Sequence, residues 1–186
     1  ITPCVLPMCL AAFAGIEDAV TISTCGSVNT VYRPGTLVVA TDYINNLGTS
    51  PLMGMPGVAA NPAYLDMREA FPHELSSGFV NIANETALFA RLGIYQANVG
   101  PQPETPSEAE LAQQSGADVI GRCMVPEAIA ATALGTNVLG LALVTHYIPD
   151  RSGNAVSEEG VRAVLGKRTP QLTETLSSWI HHRYSS

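Results

Sequence analysis

Charge is scarce in this chain of 186 residues: 13% are Asp, Glu, Lys or Arg, against 46% that are apolar. That balance excludes a disordered polyelectrolyte and fits one domain, spanning residues 1–186, with a sizeable core. Basic residues are scarcer still. Nine Lys and Arg face sixteen Asp and Glu, for a formal charge of −7, and they form no run, which excludes the electrostatic footprint of a nucleic-acid binder. No apolar stretch approaches the roughly 18–20 residues that a membrane-spanning helix requires, so no membrane partner is expected. Cys4, Cys9, Cys25 and Cys123 show neither CxxC nor zinc spacing. They read as reduced thiols of a cytoplasmic protein without a metal site. A Walker loop, a GxGxxG turn, an HExxH helix and a GxSxG elbow are all missing, which removes the usual warrant for triphosphate, dinucleotide, zinc-hydrolase and serine-hydrolase chemistry. Internal repeats, low-complexity segments and the basic n-region of a signal peptide are missing too.

What is present is concentrated between residues 94 and 146. An apolar run at 94–99 reads as a strand ending in the loop 100–104. Thr105 then stands as an N-cap with Glu108 three residues on, and Pro106 takes the first helical position; both features mark a helix start. A second strand at 117–121 leads into Arg122 and Cys123, and Pro126 opens another helix that stops at Gly135. A third strand over 138–144 ends at Thr145 and His146. Strands alternating with helices of about ten residues argue for βαβ units in an α/β fold with a mixed, mainly parallel sheet flanked by helices. In such sheets ligands sit beyond the carboxyl ends of the strands, where Glu104, Arg122, Cys123, Thr145 and His146 fall.

The flanks supply the remaining elements. Residues 1–6 read as a strand feeding an apolar helix at 7–15. Residues 19–29 form a β-branched strand ending in a small-residue turn, where backbone N–H groups can approach an anion or a sugar. Another strand covers 36–45. A Gly/Pro/Asn-rich stretch lasts to residue 62, and 78–92 reads as an amphipathic helix with Phe79, Ile82, Leu88, Phe89 and Leu92 facing the core. Residues 150–154 form a loop, a helix opens at Ser157, and Pro170 breaks it or starts another that ends near Tyr184. His181 and His182 read as a solvated pair.

The order of three segments resembles the trimeric purine nucleoside phosphorylase and methylthioadenosine phosphorylase family. They are Gly-Pro-Gln-Pro-Glu-Thr-Pro-Ser-Glu from Gly100, Gly-Ala-Asp-Val-Ile-Gly-Arg-Cys-Met-Val-Pro-Glu from Gly116, and Val-Leu-Gly-Leu-Ala-Leu-Val-Thr-His from Val138. The family patterns are approximately GPxFETPAE, GADxVGMSTVPE and GLSLITN. Residues 19–29 are similar to its VVTNAAGGLN, and 35–45 to its GDIMLIxDHIN with Tyr43 in place of the His. The resemblance implies a nucleoside phosphorylase-like fold that lacks the first strands, since the family's N-terminal phosphate loop has no counterpart here. It further implies a fragment, a processed chain or a partner polypeptide that supplies the loop. A subunit-bridging aromatic of the family has Tyr64 or Phe71 as its candidates.

By the same resemblance the chain is expected to transfer a pentosyl group between a purine nucleoside and phosphate, with phosphate as co-substrate and no cofactor. Glu104 and His146 are the expected catalytic pair. Thr24, Cys25, Gly26, Tyr95, Pro103, Arg122 and Cys123 are the expected substrate contacts, with Ser23 beside them. A carboxylate such as Glu104 can accept hydrogen bonds from purine N1–H, while a donor near N7 stabilises the departing base. The family places Asn or Asp where His146 stands, an aromatic where Pro103 stands, Met where Arg122 stands and Ser where Cys123 stands. An unpaired buried guanidinium is costly and seeks a carboxylate. If Arg122 pairs with Glu104 the base site is closed, which favours the alternative of a non-catalytic structural or regulatory homologue. Either reading implies a homo- or hetero-oligomer that handles a nucleoside-like small molecule.

Overall fold

The computed structural model describes residues 2–53, 64–148 and 156–185. The loop expected at 150–154 and most of the Gly/Pro/Asn-rich stretch lie outside them. Ten elements follow in the order α1 (Thr2–Phe13), β1 (Asp18–Ser27), β2 (Leu37–Asn46), α2 (His73–Asn84), β3 (Ala90–Asn98), α3 (Pro106–Gln114), β4 (Val119–Gly121), α4 (Val125–Leu134), β5 (Asn137–Tyr147) and α5 (Glu158–Tyr184).

The sheet is mixed and closes on itself in the order β1-β4-β3-β2-β5. Three pairs are parallel (β1 with β5, β2 with β3, β3 with β4), and two are antiparallel (β1 with β4, β2 with β5). Closure leaves no unpaired sheet edge among the described strands, so the three-residue β4 is sheltered on both sides. Side chains alternate across the sheet with the period of two that a strand imposes. Val38, Ala40, Ala142 and Val144 point into one apolar cluster with Tyr95, Phe71 and α4, whereas Leu37, Val39, Leu141 and Leu143 point into another beneath α2 and α5. There Phe79 of α2 meets Trp179 of α5 with ring centroids 6.1 Å apart. β5 is buried over eight consecutive positions, Val138 to Thr145, because both of its faces are covered.

Several helix signals act as the residue types dictate. Thr105 accepts from the Glu108 backbone N–H at 3.3 Å, and the Glu108 carboxylate accepts from the Thr105 N–H at 2.7 Å, closing the capping box. Gly135 ends α4 in the left-handed conformation at φ 79°. Three assignments change. Residues 2–6 belong to α1 rather than a strand: the helix continues through Pro7, whose missing N–H removes one bond of the ladder without ending it. The helix expected at 78–92 stops at Asn84, and 90–98 pairs with β2 as β3. Leu88 does reach the core, but Phe89 is half exposed and carries the Arg91 guanidinium over its ring, so apolar residues at helical spacing there were a turn and a strand start. At the other end Pro170 lies inside a single 27-residue α5. The last turn of α5 is tied back to β1, where Asp18 accepts from Arg183 at 2.5 Å, Tyr184 at 2.7 Å and Asn137 at 2.8 Å. Burial would raise the Asp18 carboxyl, and these donors outweigh it and hold it below its usual range.

Candidate functional site

The carboxyl ends of the strands converge on β4 although the sheet is mixed. Gly26 of β1 lies opposite Ile120 and His146, Ala97 of β3 opposite Gly121, and Asn46 of β2 opposite Asn98. Short β4 is therefore the meeting point of two parallel sets that run in opposite senses. The register between β1 and β5 slips at this place: Cys25 faces Val144 but Gly26 faces His146, which leaves Thr145 as the extra residue of a bulge. A bulge turns the side chains that follow it. Thr145 donates to the Cys25 carbonyl at 3.2 Å and His146 turns toward Gly26, where a Cβ would come within 2.7 Å of the imidazole Nε2. Glycine is required at 26 by that approach.

Glu104 ends the loop after β3, and its side chain is only 6% exposed. It accepts from Asn98 Nδ2 at 3.1 Å and from Arg122 Nη2 at 3.1 Å. The same Arg122 nitrogen donates to the Gln102 carbonyl at 2.6 Å, so the guanidinium clasps the loop as well as its carboxylate. Gly100, at φ 67°, makes room for it, since a Cβ there would collide with Arg122 Nε, which is itself buried with no hydrogen-bond partner. Asn98 is a relay that the sequence reading passed over: its Oδ1 accepts from Asn46 at 3.0 Å and from Gln96 at 2.9 Å, which aims its amide at Glu104. Beside this pair lies a cavity of about 180 Å³ lined by Asn46, Asn98, Gly100, Pro103 and Glu104 among others. Small-molecule pockets are ordinarily about 300–1,000 Å³, so this cavity at Glu104 is too small for a whole nucleoside.

Tyr95 organises the floor. It is fully buried, and its hydroxyl accepts from the Cys123 backbone N–H at 3.3 Å and from Ser23 Oγ at 3.5 Å. Desolvation pushes its pKa up, so it stays a neutral phenol. Just beyond Cys123 the chain makes a tight turn: Met124 sits at φ 69° and ψ −54°, and the Val125 N–H returns to the Cys123 carbonyl at 2.8 Å. That is a γ-turn of the strained hand. No sequence signal marks it, because Met has no preference for positive φ. Its supports are remote: Gly140 of β5 leaves the space that the Met124 sulfur and the Phe71 ring occupy. Phe71 is thus committed to the core, which removes it as a bridging aromatic, whereas Tyr64 is 85% exposed.

The remaining expected contacts are dispersed around this floor. Cys25 is buried, and desolvation drives its thiol far above the ordinary range. Thr24, Pro103 and Cys123 are exposed. Burial raises the Cys123 thiol, helped by Glu127 and Cys4 and opposed by Arg122, so it is protonated at neutral pH and a poor nucleophile.

His146 is half-buried, and its Nδ1 lies 2.9 Å from Thr145 Oγ1. Because the single Thr145 hydroxyl proton is directed at the Cys25 carbonyl, Nδ1 carries the imidazole proton and Nε2 is bare. Desolvation depresses the His146 pKa; the Glu104 charge raises it and that of Arg122 lowers it. A depressed folded-state pKa means that the unfolded chain takes up the proton first. His146 therefore withdraws stability progressively as pH falls from the unfolded imidazole value, about 6.5, toward the folded one, and contributes no slope above it. His146→Asn is expected to show a smaller loss of urea midpoint between pH 7.5 and 5.5 than the parent chain. Equal losses would mean that His146 does not feel this burial.

These features, strand ends converging on a short β4, a carboxylate after a Gly-Pro loop and a bulge that presents the last residue of a Thr-His pair, mark one candidate site in an α/β protein. The chain belongs to the phosphorylase superfamily, whose family model matches residues 2–180. Within it the similarity is to purine nucleoside phosphorylases. The chain is 36% identical over 132 residues to purine nucleoside phosphorylase 1 of Geobacillus stearothermophilus, covering 71% of this chain and 48% of that protein. It is 33% identical over 153 residues to the Bacillus subtilis enzyme of the same name, covering 82% and 56%. The chain thus spans about half the length of these relatives. Its fold superposes on Schistosoma mansoni purine nucleoside phosphorylase in complex with inosine, with a TM-score of 0.81 and 24% identity over 95% of this chain and 65% of that one. Isoform 2 from the same organism, in complex with cytosine and ribose-1-phosphate, gives 0.81 and 26% over 95% and 64%.

Proposed function

We propose that the chain carries the base- and sugar-handling part of a purine nucleoside phosphorylase-like site, in which Glu104 anchors the base and Arg122 must leave Glu104 before the base can enter. The observation that carries this reading is the Glu104 carboxylate, 6% exposed, aimed by Asn98 and held at 3.1 Å by Arg122. A buried carboxylate with one neutral donor needs a second partner, and a purine N1–H with its neighbouring amino group is such a partner when the guanidinium is away. In the transfer the bond between the sugar C1′ and the base nitrogen breaks and a bond from C1′ to a phosphate oxygen forms. The electron pair left on the base is quenched by a proton at N7. His146 supplies that proton only as imidazolium, since its neutral form keeps its proton on Nδ1 toward Thr145.

A second reading, a non-catalytic homologue within an assembly, is favoured by the same ion pair, because a permanently held Arg122 excludes base. Association is supported by α1, where Leu6, Leu10 and Phe13 are 55%, 60% and 78% exposed at a spacing that puts them on one face. No described helix is long and apolar enough to cross a membrane.

Phosphorolysis needs a positioned anion, and positioning contributes roughly 7–11 kcal/mol of such barriers. A lone chain is therefore expected to release no free base from inosine, guanosine or methylthioadenosine, with or without phosphate, and release is expected when a polypeptide carrying a phosphate loop is added. Turnover by the lone chain that disappears in Glu104→Ala would refute the need for a second chain while keeping Glu104 as anchor. Release that survives Glu104→Ala, with or without the partner, would refute the base assignment itself.

A further inference from the structure

The described arginines fall into two groups. Arg68, Arg122, Arg162 and Arg183 each reach a carboxylate within 4.0 Å. Arg33, Arg91 and Arg168 have no such partner among the described residues, and all three line one cavity of about 630 Å³. The rest of its wall is Thr30, Val31, Pro34, Gly35, Thr36 and Phe89, with no carboxylate. In a chain of net charge −7, three guanidinium groups around one concavity with no carboxylate in its wall make a local patch of positive potential that attracts an anion. The cavity opens at the first residues of β2 and β3, whereas Glu104 lies beyond their last ones. Ten residues of β2 separate the two places by about 30 Å.

The wall is also built, not merely charged. Gly35 turns at φ 93° and its N–H is tied to the Val144 carbonyl at 2.7 Å. A Cβ on Gly35 would stand 2.9 Å from Arg168 Nε, so the glycine is what lets that guanidinium lie against the turn. Arg168 Nη1 donates to Gln171 Oε1 at 2.8 Å, and Arg91 stacks over the Phe89 ring with its Cζ 4.9 Å from the centroid. Two of the three guanidinium planes are thereby oriented before any ligand arrives, which limits the entropy lost on binding. Three planar forks lining one concavity suit an anion with several oxygens on adjacent centres. A single carboxylate could engage only one of them. A nucleic-acid backbone needs an extended basic track, and these three arginines are confined to one concavity.

We infer that this cavity is a binding site for the di- or triphosphate group of a small molecule, separate from the Glu104 site and independent of whether that site handles nucleosides. Inorganic tripolyphosphate and ADP share the recognised chemistry, and adenosine lacks it. The test is calorimetric titration of the whole chain with each of the three at 50 mM and 200 mM salt. Tripolyphosphate and ADP are expected to bind, more weakly at the higher salt, and adenosine is expected not to compete. Arg33→Gln, Arg91→Gln and Arg168→Gln are each expected to weaken tripolyphosphate binding on the order of tenfold. Arg68→Gln and Arg162→Gln, on exposed ion pairs elsewhere, should leave it unchanged. Circular dichroism and thermal midpoints of all five variants establish that each is folded. The inference is overturned by lack of tripolyphosphate binding to the parent chain, by folded cavity variants that bind as the parent does, by equal losses in the Arg68 and Arg162 controls, or by adenosine displacing tripolyphosphate.

Discussion

Arg122→Met is expected to raise the affinity for guanine or hypoxanthine by about 100-fold while lowering the stability of the ligand-free chain by about 2 kcal/mol, between the scales of exposed and buried ion pairs, because Glu104 is 6% and Arg122 33% exposed. Both signs follow from the same arrangement. The Glu104 carboxylate is nearly sealed from water and has two donors among the described residues, Asn98 and Arg122. Taking away the guanidinium strands the charge beside a single neutral amide. A purine then supplies what was lost, and each hydrogen bond to a charged group contributes about 1.5–3 kcal/mol. The cavity grows as well, because the arginine side chain leaves the space against Gly100 and Gln102. Thermal midpoints with and without guanine measure both effects: the variant should melt below the parent alone and recover with base. A variant as stable as the parent would mean that Glu104 does not depend on Arg122.

The second large effect is expected at Gly121. A Cβ there would overlap the Tyr95 hydroxyl and crowd its ring, and Tyr95 is fully buried in a cluster that leaves it nowhere to go. Overpacking of a rigid core costs about 1–3 kcal/mol and more when backbone must shift. Gly121→Ala is therefore expected to destabilise the chain by about 3 kcal/mol or more and to loosen the Ser23 and Cys123 contacts with it. Removing the obstructing oxygen should relieve part of this. In the Tyr95→Phe background the cost of Gly121→Ala is expected to fall by about 1 kcal/mol or more, the range in which contacting residues couple. Strict additivity in a denaturation cycle would show that the two residues do not compete for the same space.

Much of this arrangement could be read from residue order because its signals are local. Thr105 with Glu108, Pro126 and Gly135 each act through backbone groups within a turn of themselves, so they mark α3 and α4 without knowledge of the rest. The partnership of Arg122 with Glu104 was legible too, since a guanidinium placed in a buried, apolar-flanked position has few alternatives. What stayed hidden depends on tertiary register. The bulge at Thr145 arises from the pairing of β1 with β5, residues about 120 positions apart. The γ-turn at Met124 is maintained by space at Gly140, and the role of Asn98 by donors from Asn46 and Gln96. The start of β3 was misread because Leu88, Phe89 and Leu92 follow helical spacing, and only pairing with β2 decides against it. The antiparallel pairing of β2 with β5, which closes the sheet, leaves no mark in a sequence whose connections from β3 to β5 run through helices and suggest parallel crossovers.

Calorimetric titration of guanine tests most directly whether Glu104 anchors a purine base at a site that Arg122 keeps closed, in three chains: the parent, Arg122→Met, and Arg122→Met with Glu104→Ala. The expected result is weak or undetectable binding to the parent, clear one-site binding to Arg122→Met and its loss in the double variant. Binding of equal strength in the single and double variants, or its absence from a folded Arg122→Met chain, would contradict the account.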